Sequence, residues 1–492
     1  MRNCRGRENG SRRRNKGLRR RYGRRLFRLL TGEAILCGRI GGGDGKHRKQ
    51  AMNHWKPNGN CFVGDCMPFF RNGVFHLYYL LDIGHHNHPV VGRLGGHQYA
   101  HASSSDLIHW KQEPLALPLD FEQGECSNCT GSMLEYQGRV YAFYALRSRH
   151  FRGERIRLAV SDDGGISFRK LPPPEIPMPP DCRGYFRDPM AFIGEDGRIH
   201  LLISSGAEAA SGGVSIRKGA VAHYITSDLQ CFQRADDWAD CWYTPECCDY
   251  FRWNGLYYYT FNNIWETHVR CSEKPFGPWR IPVQDVPASQ YCCVMKSAPW
   301  KDGRRIGVGW VPSWEAGGMS FGGPVFGGRT VFREMVQEAD GSLGTRFVEE
   351  MIPGRGEKTF PDAVLASEKG IDVCCPGIFA RDFRLDGEVA FQPGTREFGL
   401  MIADRDQNQR RYVSFYPDLG IVELDRHARI CRVPMNERKV SFRLVRTEDV
   451  IDLEIDGHRT VVTGRTDFPE SLTVLYVREG AARFSRLRLF VR

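Results

Sequence analysis

The sequence predicts an all-β fold, a five-bladed β-propeller followed by a C-terminal β-sandwich. Three observations predict it. Residues 51–350 are filled by short aromatic and β-branched runs separated by Gly, Asn and Asp turns, with little helical periodicity. One hairpin-sized unit recurs there five times, its turn glycines 48 to 65 residues apart. Beyond about residue 355 the aromatics thin out and shorter alternating strands take over.

The recurring unit is an apolar strand start, a tight Gly turn and an alternating strand. It reads as Pro68–Tyr79, Met133–Tyr144, Met190–Ile203, Asp249–Tyr259 and, shorter, Ala298–Val308, with turns at Gly73, Gly138, Gly197, Gly255 and Gly303. A second signature, an acidic turn just before an aromatic, follows the early hairpins at Ser105–Trp110, Ser161–Phe168 and Ser227–Phe232. Ser272–Trp279 is a looser fourth copy. A hairpin plus such a turn at a period near 60 describes four-stranded blades repeated radially. The strands Phe383–Gly387, Arg411–Phe415, Val440–Leu444, Ile451–Ile455, Leu472–Tyr476 and Phe484–Leu489 then predict an antiparallel sandwich over residues 360–492. Pro353–Thr359, with two Gly and several charges, reads as the linker.

Composition narrows the class. The chain has 492 residues, 41% hydrophobic and 26% charged, enough apolar surface to offset the entropy of ordering. No apolar run approaches the ~20 residues of a bilayer-spanning helix. The net charge of +11 is local: residues 1–50 hold 17 Lys/Arg against three acids, and the remaining 442 hold 52 against 55. Residues 1–50 therefore read as a basic disordered extension, and Leu26–Cys37, interrupted by Arg28, Thr31 and Glu33, is a poor secretory core. The body offers no surface for nucleic acid and no segment for a membrane. Seventeen cysteines, six of them in adjacent pairs, match no disulfide framework, and the single Cys126-x-x-Cys129 has no partner pair for zinc. Reduced, mostly buried thiols and a cytoplasmic location are expected. Neither cofactor nor metal is expected, and the sequence is silent on oligomeric state.

The repeat places chemistry at one address. The first strand of each blade lines the central channel, so equivalent positions converge near the axis. Eight or nine residues before the turn glycine stand Asp65, Asp188 and Glu246 on the first, third and fourth hairpins, and Thr130, flanked by Gly131 and Ser132, on the second. Three acids in one pocket repel each other, which raises the pKa of at least one carboxyl. An ionised carboxylate beside a protonated carboxylic acid is the equipment for glycosidic bond cleavage. Calcium also suits clustered acids, but these lie on separate blades with no contiguous Asp/Asn loop.

These residues resemble glycoside hydrolase family 32, the β-fructosidases. Arg187-Asp188-Pro189 is similar to the family's Arg-Asp-Pro motif, Glu246-Cys247 to its Glu-Cys, Thr130-Gly131-Ser132 to its Ser-Gly-Ser, and His97–Trp110 to its His-Ala-x-Ser-x-Asp-Leu-x-x-Trp segment. The resemblance implies a propeller–sandwich fold and a retaining hydrolase of β-fructofuranosides (sucrose or fructo-oligosaccharides). Asp65 would be the nucleophile, Glu246 the general acid/base, and Asp188 the holder of ring hydroxyls, kept ionised by Arg187. Arg187, Thr130, Ser132, Tyr99, His97 and Trp314 would bind substrate, with His85, His86 and Tyr250 as further candidates. The Trp310–Gly328 segment reads as a loop at the pocket rim. The nucleophile motif departs from the family: Phe62-Val63-Gly64-Asp65-Cys66-Met67-Pro68 keeps the acid and loses both asparagines. Two other readings stay open. One is another propeller glycosidase, arabinofuranosidase-like or a phosphorylase. The other is a catalytically silent carbohydrate-binding propeller.

Overall fold

A computed structural model describes residues 52–179, 182–211, 214–235, 238–241, 244–314, 323–352, 354–435, 438–464 and 470–491. The basic extension over residues 1–50 lies outside them. Among the described residues the regular structure is strand, apart from three single-turn 3-10 helices, and no helix is long and apolar enough to cross a membrane.

Five antiparallel sheets follow in chain order. The first blade is β1 (Cys61–Arg71), β2 (Val74–Ile83), β3 (Gln98–Ser104) and β4 (Lys111–Gln112). The second is β5 (Glu125–Tyr136), β6 (Arg139–Ser148), β7 (Glu154–Ser161) and β8 (Arg169–Lys170). The third is β9 (Cys182–Ile193), β10 (Ile199–Ser211), β11 (Val214–Thr226) and β12 (Gln233–Arg234), with β13 (Trp238–Cys241) also on β11. The fourth is β14 (Glu246–Trp253), β15 (Leu256–Asn263) and β16 (Glu266–Ser272). The fifth is β17 (Cys293–Pro299), β18 (Arg305–Trp314), β19 (Pro324–Gln337) and β20 (Leu343–Arg346). A single pairing, Val63 with Gly328, joins the fifth sheet to the first.

The repeat has a local cause. All five turn glycines have φ between 72° and 87°, the left-handed region that disfavours a Cβ. The second signature is a side-chain turn between the third and fourth strands. Asp106 accepts the N–H groups of Ile108 and His109, Asp163 those of Ile166 and Ser167, and Asp228 those of Gln230 and Cys231. The looser fourth copy leads to a lone Cys271–Arg280 bridge instead of a fourth strand.

Every innermost strand carries a β-bulge at one address. Register slips between Val63 and Cys66, Cys129 and Gly131, Glu246 and Asp249, Cys293 and Lys296, and opposite Leu202–Ser204 in β9. A bulge re-aims the side chain it carries. At the second bulge only glycine fits, since a Cβ on Gly131 would stand 1.9 Å from the Phe143 carbonyl oxygen.

The sandwich shares one long strand, Ser471–Val491. Its first half pairs with Glu397–Ala403 and its second with Phe383–Phe391. One apolar cluster, with Leu385, Phe398, Phe415, Phe442, Leu453 and Phe484, fills it. The expected linker is partly strand: Arg355–Thr359 pairs with Arg488–Val491, so the sandwich begins earlier than the sequence suggests. A buried ion pair ties the two units, Arg333 of β19 meeting Asp452 of Val450–Ile455 at 2.7 and 2.9 Å. Among the described residues thirteen cysteines are free, but Cys61 is disulfide-bonded, which departs from the expectation of wholly reduced thiols.

Candidate active site

The bulges bring all five blades to one cavity of about 660 Å³, with Asp65, Thr130, Arg187, Asp188 and Glu246 on its wall. Asp65 is 7% exposed and accepts from three blades. Thr130 donates its hydroxyl to Oδ2, Cys247 its thiol to the same oxygen at 3.5 Å, and the Trp310 indole N–H reaches Oδ1 at 3.0 Å. These contacts hold the carboxyl in one orientation.

Asp188 and Cys247 both sit at positive φ, 54° and 52°. Such strain in non-glycine residues costs about 1–3 kcal/mol each and collects at functional sites. Here it aims the Cys247 N–H at Asp188 Oδ2, 3.0 Å away. Arg187 then spans the acids. Its Nε lies 3.5 Å from Asp188, its Nη2 donates to Glu246, and its Nη1 lies 3.8 Å from Glu154. The Tyr185 ring stacks on the guanidinium at 5.2 Å.

Two carboxyls are driven upward. Burial raises the Glu246 pKa above the usual range, with the charges of Asp188 and Asp65 adding to it against the pull of Arg187. Burial raises Asp188 as well, helped by Asp65, against Arg187 and the Cys247 N–H. Arg187, expected to favour the ionised form of Asp188, does pull its pKa down, and desolvation outweighs that pull in the net shift. Burial opposes the Arg187 charge in turn, but Asp188 and Glu246 more than compensate and raise its pKa.

The far wall is a histidine cluster. His97 and His86 line the cavity, and His97 Nε2 meets Asp82 Oδ1 at 3.0 Å. Burial and the charge of His97 push His86 down to about 4. His86 stacks on Phe326, ring centroids 4.1 Å apart.

Three residues expected at the substrate do not line the cavity. Tyr99 is fully buried in the apolar core, its hydroxyl donating to the Cys129 carbonyl at 2.6 Å. Ser132 lies further along β5, where its hydroxyl accepts the Ala191 N–H at 2.9 Å. Trp314 ends β18 between Tyr291 and His427 of the sandwich, at ring distances of 5.5 and 5.4 Å. Of the lesser candidates, His85 stacks on Phe62, and Tyr250 donates its hydroxyl to the Pro275 carbonyl. The expected rim loop at Trp310–Gly328 has strands for both arms, with residues 315–322 outside the described ones. Trp310, Phe326, Asn262 and Trp265 are wall residues that sequence reasoning did not single out. Trp310 had a usable signal, a tryptophan on the second strand of the fifth repeat.

Residues 54–293 match the glycosyl hydrolases family 32 N-terminal domain. Over these residues the chain is similar to glycosyl hydrolase family 32. Among curated relatives, a sucrose-6-phosphate hydrolase of Klebsiella pneumoniae is 29% identical over 176 residues, covering 35% of this chain and 33% of the relative. A sucrose-6-phosphate hydrolase of Escherichia coli is 27% identical over 303 residues, 57% of this chain and 60% of that one. The chain thus spans between a third and three fifths of these relatives. In fold it is similar to fructan 1-exohydrolase IIa of Cichorium intybus, with a TM-score of 0.69 at 16% identity over 90% of this chain and 97% of that structure.

Proposed function

We propose that this chain is a retaining glycoside hydrolase of family 32 that cleaves β-fructofuranosides, of the sucrose or fructo-oligosaccharide class, by double displacement. One observation carries the reading. Asp65, oriented by three donors, and Glu246, a carboxyl with a raised pKa, share one cavity. That is a positioned nucleophile and a carboxyl able to hold a proton.

Asp65 attacks the anomeric carbon and forms a glycosyl-enzyme while Glu246 gives its proton to the departing oxygen. Glu246, now a carboxylate, takes a proton from water, and the hydroxide displaces Asp65. Asp188 and Arg187 hold ring hydroxyls, with Asp188 steadying the oxocarbenium-like transition state. Thr130 orients Asp65 for the attack, and the His97 ring forms part of the wall against which the sugar lies. No cofactor enters these steps.

The relatives' names, sucrose-6-phosphate hydrolase and raffinose invertase, support a fructoside substrate. We assign catalysis to residues 51–350 and a supporting role to the sandwich, expected at 360–492 and extended forward by the strand Arg355–Thr359. Thirteen free thiols support a cytoplasmic site of action, and the disulfide at Cys61 weighs on the other side. Sucrose, inulin, levan and a panel of nitrophenyl glycosides test the substrate class, and NMR of the first-formed anomer tests the stereochemistry. Fructose should appear first as the β-anomer. Inversion, or turnover of arabinofuranosides alone, would overturn the assignment.

A further inference from the structure

We infer that Asp82, His86 and His97 form a site for one divalent transition-metal ion of the zinc type in the wall of the cavity. Two imidazoles and one carboxylate are the donor set such ions take, with a remaining position left for water or substrate. The three donor atoms lie within 4.8 Å of one another. Asp82 Oδ1 and His97 Nε2 already stand 3.0 Å apart, close to the ~3–4 Å that separates two donors bound to one ion at about 2.1 Å. A rotation of the His86 ring, which faces the cavity, brings in the third.

Two independent features point to a ligand here. Asp82 is 0% exposed, yet its Oδ2 accepts no hydrogen bond among the described residues. His85 Nδ1 lies 4.0 Å from it and is engaged by the Phe326 carbonyl at 2.6 Å. A buried carboxylate oxygen left so is costly unless something positive meets it. Secondly, His97 Nδ1 is held by Ser127 Oγ at 3.1 Å. With its proton on Nδ1 and donated to Ser127, the ring would offer a metal ion the Nε2 that now meets Asp82 Oδ1 at 3.0 Å, and Ser127 would be the outer-shell partner that orients it. Gly327 preserves the room beside the carboxylate, since a Cβ there would stand 2.9 Å from Oδ2. Because His86 and His97 line the same cavity as Asp65, the open coordination position faces the space where a sugar hydroxyl would lie.

The test needs no sugar, so it is separable from the hydrolase reading. The full chain is stripped with a chelator and titrated with Zn²⁺ alone by calorimetry, with elemental analysis of the reloaded protein. About one equivalent should bind, and His86→Ala should weaken that binding by at least roughly 100-fold, beyond the cost of losing an outer-shell partner. His85→Ala should retain it. His86→Gln, closer in volume, serves if the alanine variant melts early. Co²⁺ loading should give visible d–d bands without a thiolate charge-transfer band. No stoichiometric Zn²⁺, undiminished binding in both His86 variants, or a thiolate band from cysteine ligands would each overturn the site.

Discussion

Glu246→Gln isolates the proton from everything else that the residue does. The amide keeps an oxygen for Arg187 Nη2 to hold and loses the acid. The side chain is 34% exposed, so the change should leave stability within about 0.5 kcal/mol. General acid–base help is worth about 10²- to 10⁴-fold, which is ~2.7–5.5 kcal/mol of barrier at 1.36 kcal/mol per decade. A sugar leaving group needs that proton, so sucrose hydrolysis should fall by the full factor. Nitrophenolate leaves unprotonated, and formation of the glycosyl-enzyme from nitrophenyl β-fructofuranoside should stay near the wild-type rate. Its breakdown then lacks a base. Stopped-flow absorbance should show a burst of about one nitrophenolate per chain followed by a slow phase, and azide should restore turnover as a fructosyl azide of retained configuration. Equal losses on both substrates with no burst would refute Glu246 as the acid/base.

The pH profile should carry the same residue. The alkaline limb of kcat/KM reports loss of the Glu246 proton, and a raised pKa sets that limb above an ordinary glutamic acid. Arg187→Gln removes the charge that pulls it down and should move the limb higher; a limb that stays put would exclude Glu246 as the titrating acid. Asp188→Asn should abolish turnover yet raise Tm at pH 7. A carboxyl whose folded pKa exceeds its unfolded one contributes stability below the unfolded pKa and loses it as pH rises through the folded value. Its charge therefore burdens the fold at neutrality, and a lower Tm for the amide would contradict this. Asp452→Asn should destabilise by about 3–5 kcal/mol in chemical denaturation, because it strands the fully buried Arg333 guanidinium; a change under about 1 kcal/mol, the worth of an exposed pair, would show that the ion pair does not clamp the two units.

The blades were legible because their signals are local. A glycine at positive φ and an aspartate that caps its own turn need only a few neighbouring residues, and both repeat in register. The three acids could be found by counting because the bulge falls at the same distance from the turn in every blade. What failed depends on distance from the axis or on remote partners. Tyr99 is aromatic and close in sequence to the histidines, but it lies on a third strand, where its ring packs between the first two blades. Ser132 follows Thr130 by two residues on the same strand and so reads as a second wall residue. The strand runs past the cavity there, and its hydroxyl is spent on the Ala191 N–H of the next blade. Arg355–Thr359 reads as a linker because its strand partner is the far end of the chain. Asp82 and His97 are 15 residues apart, and only the β2–β3 register, with Leu81 opposite Gln98, puts them face to face.

The altered nucleophile motif takes on a physical meaning at Cys247. Phe62–Pro68 lacks the asparagines of the family pattern, yet Asp65 is fully provided with donors from other blades: Thr130, Trp310 and the Cys247 thiol. Cys247 donates its thiol to Asp65 and its backbone N–H to Asp188, and both contacts depend on one strained φ at a bulge. The residue beside the proposed acid/base therefore fixes the spacing of the other two carboxyls. The five blades supply the convergence, and the bulge turns a structural repeat into unequal chemistry. At one address it yields a carboxyl with three donors, at another a carboxyl that burial drives toward its protonated form, and at a third a hydroxyl that orients the first. Sequence differences at the nucleophile motif are tolerable because the geometry of Asp65 is set from across the channel.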